Sequence, residues 1–131
     1  MVTAGLVMLG ACATVSWESP TFEQVRSGGR QDRKVTVTGY LVAAGGAYDF
    51  YQSEPLARST GGEGCIALLL TRQDGERFNQ QLVSGPLTVT GTAHSRREFD
   101  GAIHGEGDVD GRPWMGDNCP GPAIIFVDRI D

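Results

Sequence analysis

The sequence lacks any apolar run near the roughly 20 residues that a membrane-spanning helix needs. Its most apolar stretch, MVTAGLVMLGACA at residues 1–13, gives way to polar residues by Ser16 and Glu18. It has no nucleotide-binding glycine fingerprint, no G-x-S-x-G elbow, no C-x-x-C pair and no cysteine–histidine signature. Nothing therefore points to a dinucleotide-binding unit, an esterase elbow or a thioredoxin-like redox motif. Coiled-coil heptads are missing too. Basic charge is in short supply: 11 Lys and Arg stand against 16 Asp and Glu, for a formal charge of −5. Non-specific nucleic-acid binding relies on a basic face that displaces counterions, so this balance counts against it. The basic residues that exist gather at Arg26, Arg30, Arg33 and Lys34, with a lesser pair at Arg96–Arg97. Read locally, they form a solvated strand edge.

What the sequence does contain is β structure. The 131 residues suffice for one domain. Glycine is abundant, at 19 residues, and helix-forming runs are few. The stretch KVTVTGYLV at residues 34–42 alternates β-branched residues with a period of two, the pattern of a half-buried strand. LTVTGTA at 87–93 nearly repeats it. Each carries a glycine inside, Gly39 and Gly91, where a bulge or bend lets a strand curl. YDFYQS at 48–53 is expected to pair with the first strand as a hairpin across Gly45-Gly46, with Tyr48 and Phe50 on one face and Asp49 and Tyr51 on the other. CIALLLT at 65–71 reads as a strand buried on both faces, and AIIFVDRI at 123–130 as the last strand. Thr21 to Gln24 is a capping-box pattern before a brief helix that Gly28-Gly29 ends. Residues 54–64 read as a loop, Asp74-Gly75 as a turn, and Glu76 to Val83 as two helical turns with Phe78 and Leu82 on one face.

Residues 1–11 fit the apolar region of a secretory signal, and 12–20 a tether. Leu9-Gly10-Ala11-Cys12 resembles the bacterial lipoprotein box. The resemblance implies cleavage before Cys12, lipid on its thiol and an acylated amino terminus; Ala13 after the cysteine implies the outer membrane, facing the periplasm. No Lys or Arg precedes the apolar run, so either the true start lies upstream or the chain is not exported. With lipid on Cys12, Cys65 and Cys119 remain. An even pair in an oxidising compartment favours a disulfide; the alternatives are two reduced thiols or a nucleophilic Cys65.

Five strands with a helix between the third and fourth follow the order of the OB-fold barrel. Residues 21–131 are accordingly expected to form one OB-fold-like β-barrel domain, mainly β, with a second short helix at its N-terminus. The VTVTGYLV strand, the aromatic YDFY strand, the cysteine-led CIALLL strand and the late cysteine before VDRI resemble small OB-fold-like lipoproteins and periplasmic proteins of Gram-negative bacteria. That resemblance implies a lipid-anchored, non-catalytic binding module of the cell envelope. Its partners would be the membrane, through the N-terminal lipid, and an unknown envelope ligand or protein; it needs no cofactor, and nucleic acid is not an expected partner.

OB barrels bind ligands on the face of strands two and three, which points to Asp49, Tyr51 and Arg58. Trp114, in a Gly/Pro-rich turn, is a candidate platform at one end; the alternative is that Tyr48, Phe50 and Trp114 pack the core. The polar stretch from His94 to Asp117 is where a metal-dependent or hydrolytic enzyme would have to place its chemistry. His94, His104, Asp108 and Asp110 offer nitrogen and oxygen ligands, and Asp108-Val-Asp110-Gly111 resembles the start of a calcium loop, without its third acidic position or distal glutamate. A solvated acidic loop explains the same residues. An OB-type oligonucleotide binder is the third reading.

Overall fold

The computed structural model describes residues 20–44, 47–59, 64–78, 84–99, 107–109, 112–114, 119 and 121–131. Five strands close a barrel: β1 (Arg33–Ala44), β2 (Ala47–Tyr51), β3 (Cys65–Leu69), β4 (Leu87–Ser95) and β7 (Ala123–Ile130). Around the barrel the order is β1-β2-β3-β7-β4, closing back on β1. β3 and β7 run parallel, and every other neighbouring pair is antiparallel. This is the OB topology that the strand order implied. A small separate hairpin, β5 (Gly107–Val109) with β6 (Arg112–Trp114), lies in the connection between β4 and β7.

β1 serves two partners. Its first half pairs with β4, Arg33 opposite Ala93 through Gly39 opposite Leu87, and its second half with β2, Tyr40 opposite Tyr51 through Ala44 opposite Ala47. Gly39 sits at the hand-over. A Cβ there would lie 2.5 Å from the Tyr51 carbonyl oxygen and 2.9 Å from the Phe50 ring. Gly91 occupies the matching place on β4. The register with β7 shifts between Thr90 and Gly91, and a Cβ at Gly91 would overlap the Phe126 carbonyl. At these two positions backbone approaches backbone too closely for any side chain.

The expected alternation holds. Val35, Val37, Leu41, Phe50, Ile66, Leu68, Val89, Ala93, Ile125, Val127 and Ile130 fill the barrel. α1 (Phe22–Arg26) closes one end, where β1 begins and β4 ends. Its capping box is formed: the Gln24 amide donates to Thr21 Oγ1 at 3.2 Å, and the Thr21 amide donates to Gln24 Oε1 at 2.9 Å. Phe22 and Val25 are buried, and the Phe22 ring meets Phe50 at 5.9 Å between centroids. Gly28, at φ 90°, carries the chain out of the helix.

Two local expectations are corrected. Residues 54–64 do not form a loop throughout, because α2 (Glu54–Ser59) occupies their first half. Pro55 lies in its first turn, where the missing N–H is one the helix leaves unsatisfied in any case. Ser53 Oγ accepts from the Leu56 amide at 3.4 Å. The helix after β3 also begins earlier than Glu76. α3 spans Arg72–Arg77 and takes in the expected Asp74-Gly75 turn. Thr71 caps it by accepting from the Asp74 amide at 3.2 Å, which outweighs the weak helix propensity of Gly75. Phe78 is buried just past its end, and residues 79–83 lie outside the described residues.

Candidate functional site

The ligand face of an OB barrel is the outer surface of β2 and β3. In this chain that surface is apolar and covered. Val42, Tyr51, Cys65, Ala67, Leu69, Ile124 and Phe126 form a second core outside the barrel, joined by Ala57 of α2, by Cys119 and by the partly buried Tyr40. The covering comes from two directions. α2 packs on β1 and β2, while residues of the β4–β7 connection reach β3 and β7. Cys119 is bonded to Cys65 across 54 residues, with Cα atoms 5.6 Å apart. The Arg112 guanidinium donates to the Val127 carbonyl at 3.0 Å, pairs with Asp128 at 3.2 Å and lies 5.6 Å from the Phe126 ring centre. Arg96 donates to the Cys119 carbonyl at 2.5 Å.

The structure places the sequence-derived candidates as follows. Asp49 and Tyr51 do point to the ligand face, but there they are only 3% and 2% exposed. Asp49 Oδ1 lies 3.3 Å from Cys119 Sγ; a bonded sulfur carries no proton, so this is a contact that becomes a hydrogen bond only with a reduced thiol. Arg58 is not beside them. It is an exposed residue of α2, paired with Glu54 at 2.9 Å. Trp114 ends β6, and its side chain lies outside the description. Cys12, His104 and Asp110 lie outside the described residues, and Asp108 is described only as part of the β5 backbone. His94 faces outward on β4, its ring 4.5 Å from that of Phe126 and Nδ1 3.4 Å from Asp32 Oδ1. Among the described residues no group of three or more His, Cys, Asp or Glu side chains converges as metal ligands would.

On the opposite wall, the outer face of β1 and β4 is open and polar. Thr36 stands opposite Thr90, and Thr38 opposite Thr88. Their hydroxyls hydrogen-bond across the strands at 3.3 and 3.1 Å. The repeated VTVTG strands are thus neighbours, and their threonines form one ladder. Sequence reasoning noted the repetition without seeing the pairing; the matched alternation around the two inner glycines was the available signal. Among ionisable groups, burial raises the Tyr48 phenol above its ordinary value. Its hydroxyl donates to the Gly75 carbonyl at 3.3 Å, beneath α3.

No protein-family model matches the chain, and no curated protein matches it. Among solved structures the chain is similar to asparaginyl-tRNA synthetase from Pyrococcus horikoshii complexed with asparaginyl-adenylate, at 10% identity and a TM-score of 0.46, over 88% of this chain and 22% of that one. It is similar to aspartyl tRNA synthetase from Entamoeba histolytica at 11% identity and a TM-score of 0.46, over 91% and 22%. An OBody, AM3L15, bound to hen egg-white lysozyme gives 12% identity and a TM-score of 0.44, over 86% and 94%. The chain therefore spans about a fifth of the length of the two synthetases.

Proposed function

We propose that this chain is an exported lipoprotein, anchored through Cys12 in the outer membrane and facing the periplasm, whose OB barrel serves as a non-catalytic binding module of the cell envelope. The observation that supports this reading is the Cys65–Cys119 bond. Disulfides persist in oxidising compartments. Pairing these two leaves Cys12 as the third and last cysteine, at the position where Leu9-Gly10-Ala11-Cys12 resembles a lipidation site. The module's ligand would meet a surface other than the covered face of β2 and β3. The test is metabolic labelling with an alkyne fatty acid in a Gram-negative host. Wild-type chain is expected to take up label, lose residues 1–11 and fractionate with membranes, and Cys12→Ser to do none of these. An unlabelled cytosolic chain that retains Met1 overturns the reading.

The OB topology itself favours a second reading, oligonucleotide binding. Against it stand the formal charge of −5 and the burial of the face that would carry the bases. Titration with a fluorescent single-stranded oligonucleotide at low salt decides it. Binding that weakens steeply with added salt would favour this reading over the envelope module, and no retention at low salt would end it.

A further inference from the structure

Resting on the lipoprotein reading, we propose that the barrel end where β1 begins and β4 ends is a contact surface for anionic phospholipid headgroups. The net charge of the chain conceals it. Residues 98–117 hold six carboxylates against one arginine, a net of −5, which equals the formal charge of the whole chain; elsewhere ten basic residues meet ten acidic ones. That balance is uneven in space. Arg26, Arg30, Arg33, Lys34, Arg96 and Arg97 all lie within a few residues of one end of the barrel, because β1 and β4 run antiparallel with Arg33 opposite Ala93. The Asp32 amide donates to the Ala93 carbonyl at 2.6 Å, which ties the turn carrying Arg30 to the end of β4. Glu23 neutralises Arg26, and Asp128 takes Lys34 at 2.8 Å. Arg96 is engaged with the Cys119 carbonyl. Arg30, Arg33 and Arg97 have no carboxylate partner among the described residues; Arg33 and Arg97 are exposed and Arg30 is half-buried.

The same end receives the tether. α1 closes it, and the described chain enters α1 through Pro20 and Thr21. A segment such as 12–20 reaches at most about 30 Å when extended. A lipid on Cys12 would keep this end within that reach of the bilayer. Proximity matters because charge is screened within about 8 Å at physiological salt. The two covalent signals at Cys12 suffice for anchoring, and a basic patch adds about 1 kcal/mol per charge near an anionic surface. Here the patch would also set orientation, keeping the threonine face of β1 and β4 roughly upright and accessible.

The test uses the full chain carrying Cys12→Ser, so that no lipid contributes. Its partition is measured by co-sedimentation on vesicles containing phosphatidylglycerol and on pure phosphatidylcholine vesicles. Insertion of the apolar residues 1–13 would add equally to both. The expected result is preference for the anionic vesicles, falling with salt. A combined Arg30→Gln, Arg33→Gln, Arg97→Gln variant is expected to lose that preference by about a hundredfold, roughly fivefold for each charge. An unchanged thermal midpoint shows that the variant is folded. Equal partition on both vesicle types, or an unaffected triple variant, overturns the proposal. So does tighter retention on a single-stranded oligonucleotide than on anionic vesicles of equal phosphate, which would assign the patch to nucleic acid. Fatty-acid labelling separates the two ideas: a labelled chain without anionic preference loses only the patch, and an unlabelled chain with that preference loses only the anchor.

Discussion

At Gly91 a single missing methyl group decides whether β4 can lie against β7. Its position leaves backbone facing backbone, with the Phe126 carbonyl and the Val127 Cα where a Cβ would go. Neither can swing aside as a side chain could. Gly91→Ala is therefore expected to cost on the order of 1–3 kcal/mol, read as a lower urea midpoint at an unchanged slope. Asp49 acts on a different property. Its carboxylate oxygen is 3.3 Å from Cys119 Sγ, and both residues are buried. When an external dithiol attacks the Cys65 sulfur, the S–S bond breaks and Cys119 must leave as a thiolate; Asp49 in its ionised form opposes the developing charge. Asp49→Asn is expected to speed reduction by dithiothreitol by about tenfold. A rate equal to wild type would show that the carboxylate does not govern the bond.

The elements show what pattern alone can carry. Period-two alternation placed β1 and β4, a continuous apolar run placed β3, and AIIFVDRI spans the observed Ala123–Ile130 from end to end. The mid-strand glycines marked Gly39 and Gly91 as the places where the sheet bends, and the capping box at Thr21 and Gln24 is present in detail. The pattern places a helix after β3 but starts it four residues late, and it shows none after β2, because Gly75 and Pro55 read as breakers; in first turns this short, the cap at Thr71 or Ser53 decides instead. The candidate site was legible only in part. Alternation put Asp49 and Tyr51 on the outer face, but it carries no information about what covers that face, which depends on contacts from residues as distant as Cys119. α3 also offers a test by pH. Burial under this helix favours the neutral Tyr48 phenol, so its folded pKa is raised. As pH rises past about 10 the unfolded chain ionises first, and stability falls until the folded phenol ionises as well. Thermal midpoints of wild type are expected to drop more between about pH 9 and about pH 11 than those of Tyr48→Phe. Parallel curves would show that the phenol carries no such linkage.

For the molecule as a whole, the second core closes the face that an OB barrel ordinarily offers to a ligand. Val42, Tyr51, Ala67, Leu69, Ile124 and Phe126 are nearly inaccessible on a face that ordinarily meets a ligand. An apolar surface of this extent is costly in water, at about 1.5–3 kcal/mol for each large side chain left uncovered. The connection between β4 and β7 is therefore part of the fold and cannot be treated as a dispensable loop. The connection can be excised cleanly, because Ser95 and Ala123 are register partners and the Arg96 amide already donates to the Pro122 carbonyl at 2.8 Å. A short glycine-rich turn can replace residues 97–120 without parting the strands, with Cys65→Ser to remove the orphaned thiol. The shortened barrel is expected to lose several kcal/mol of stability, to bind the dye ANS and to self-associate through the uncovered face. Stability is read by urea unfolding, and association by light scattering. A monomeric, dye-silent barrel of wild-type stability would mean that the face tolerates water, and β2 and β3 would again be the first place to look for a ligand.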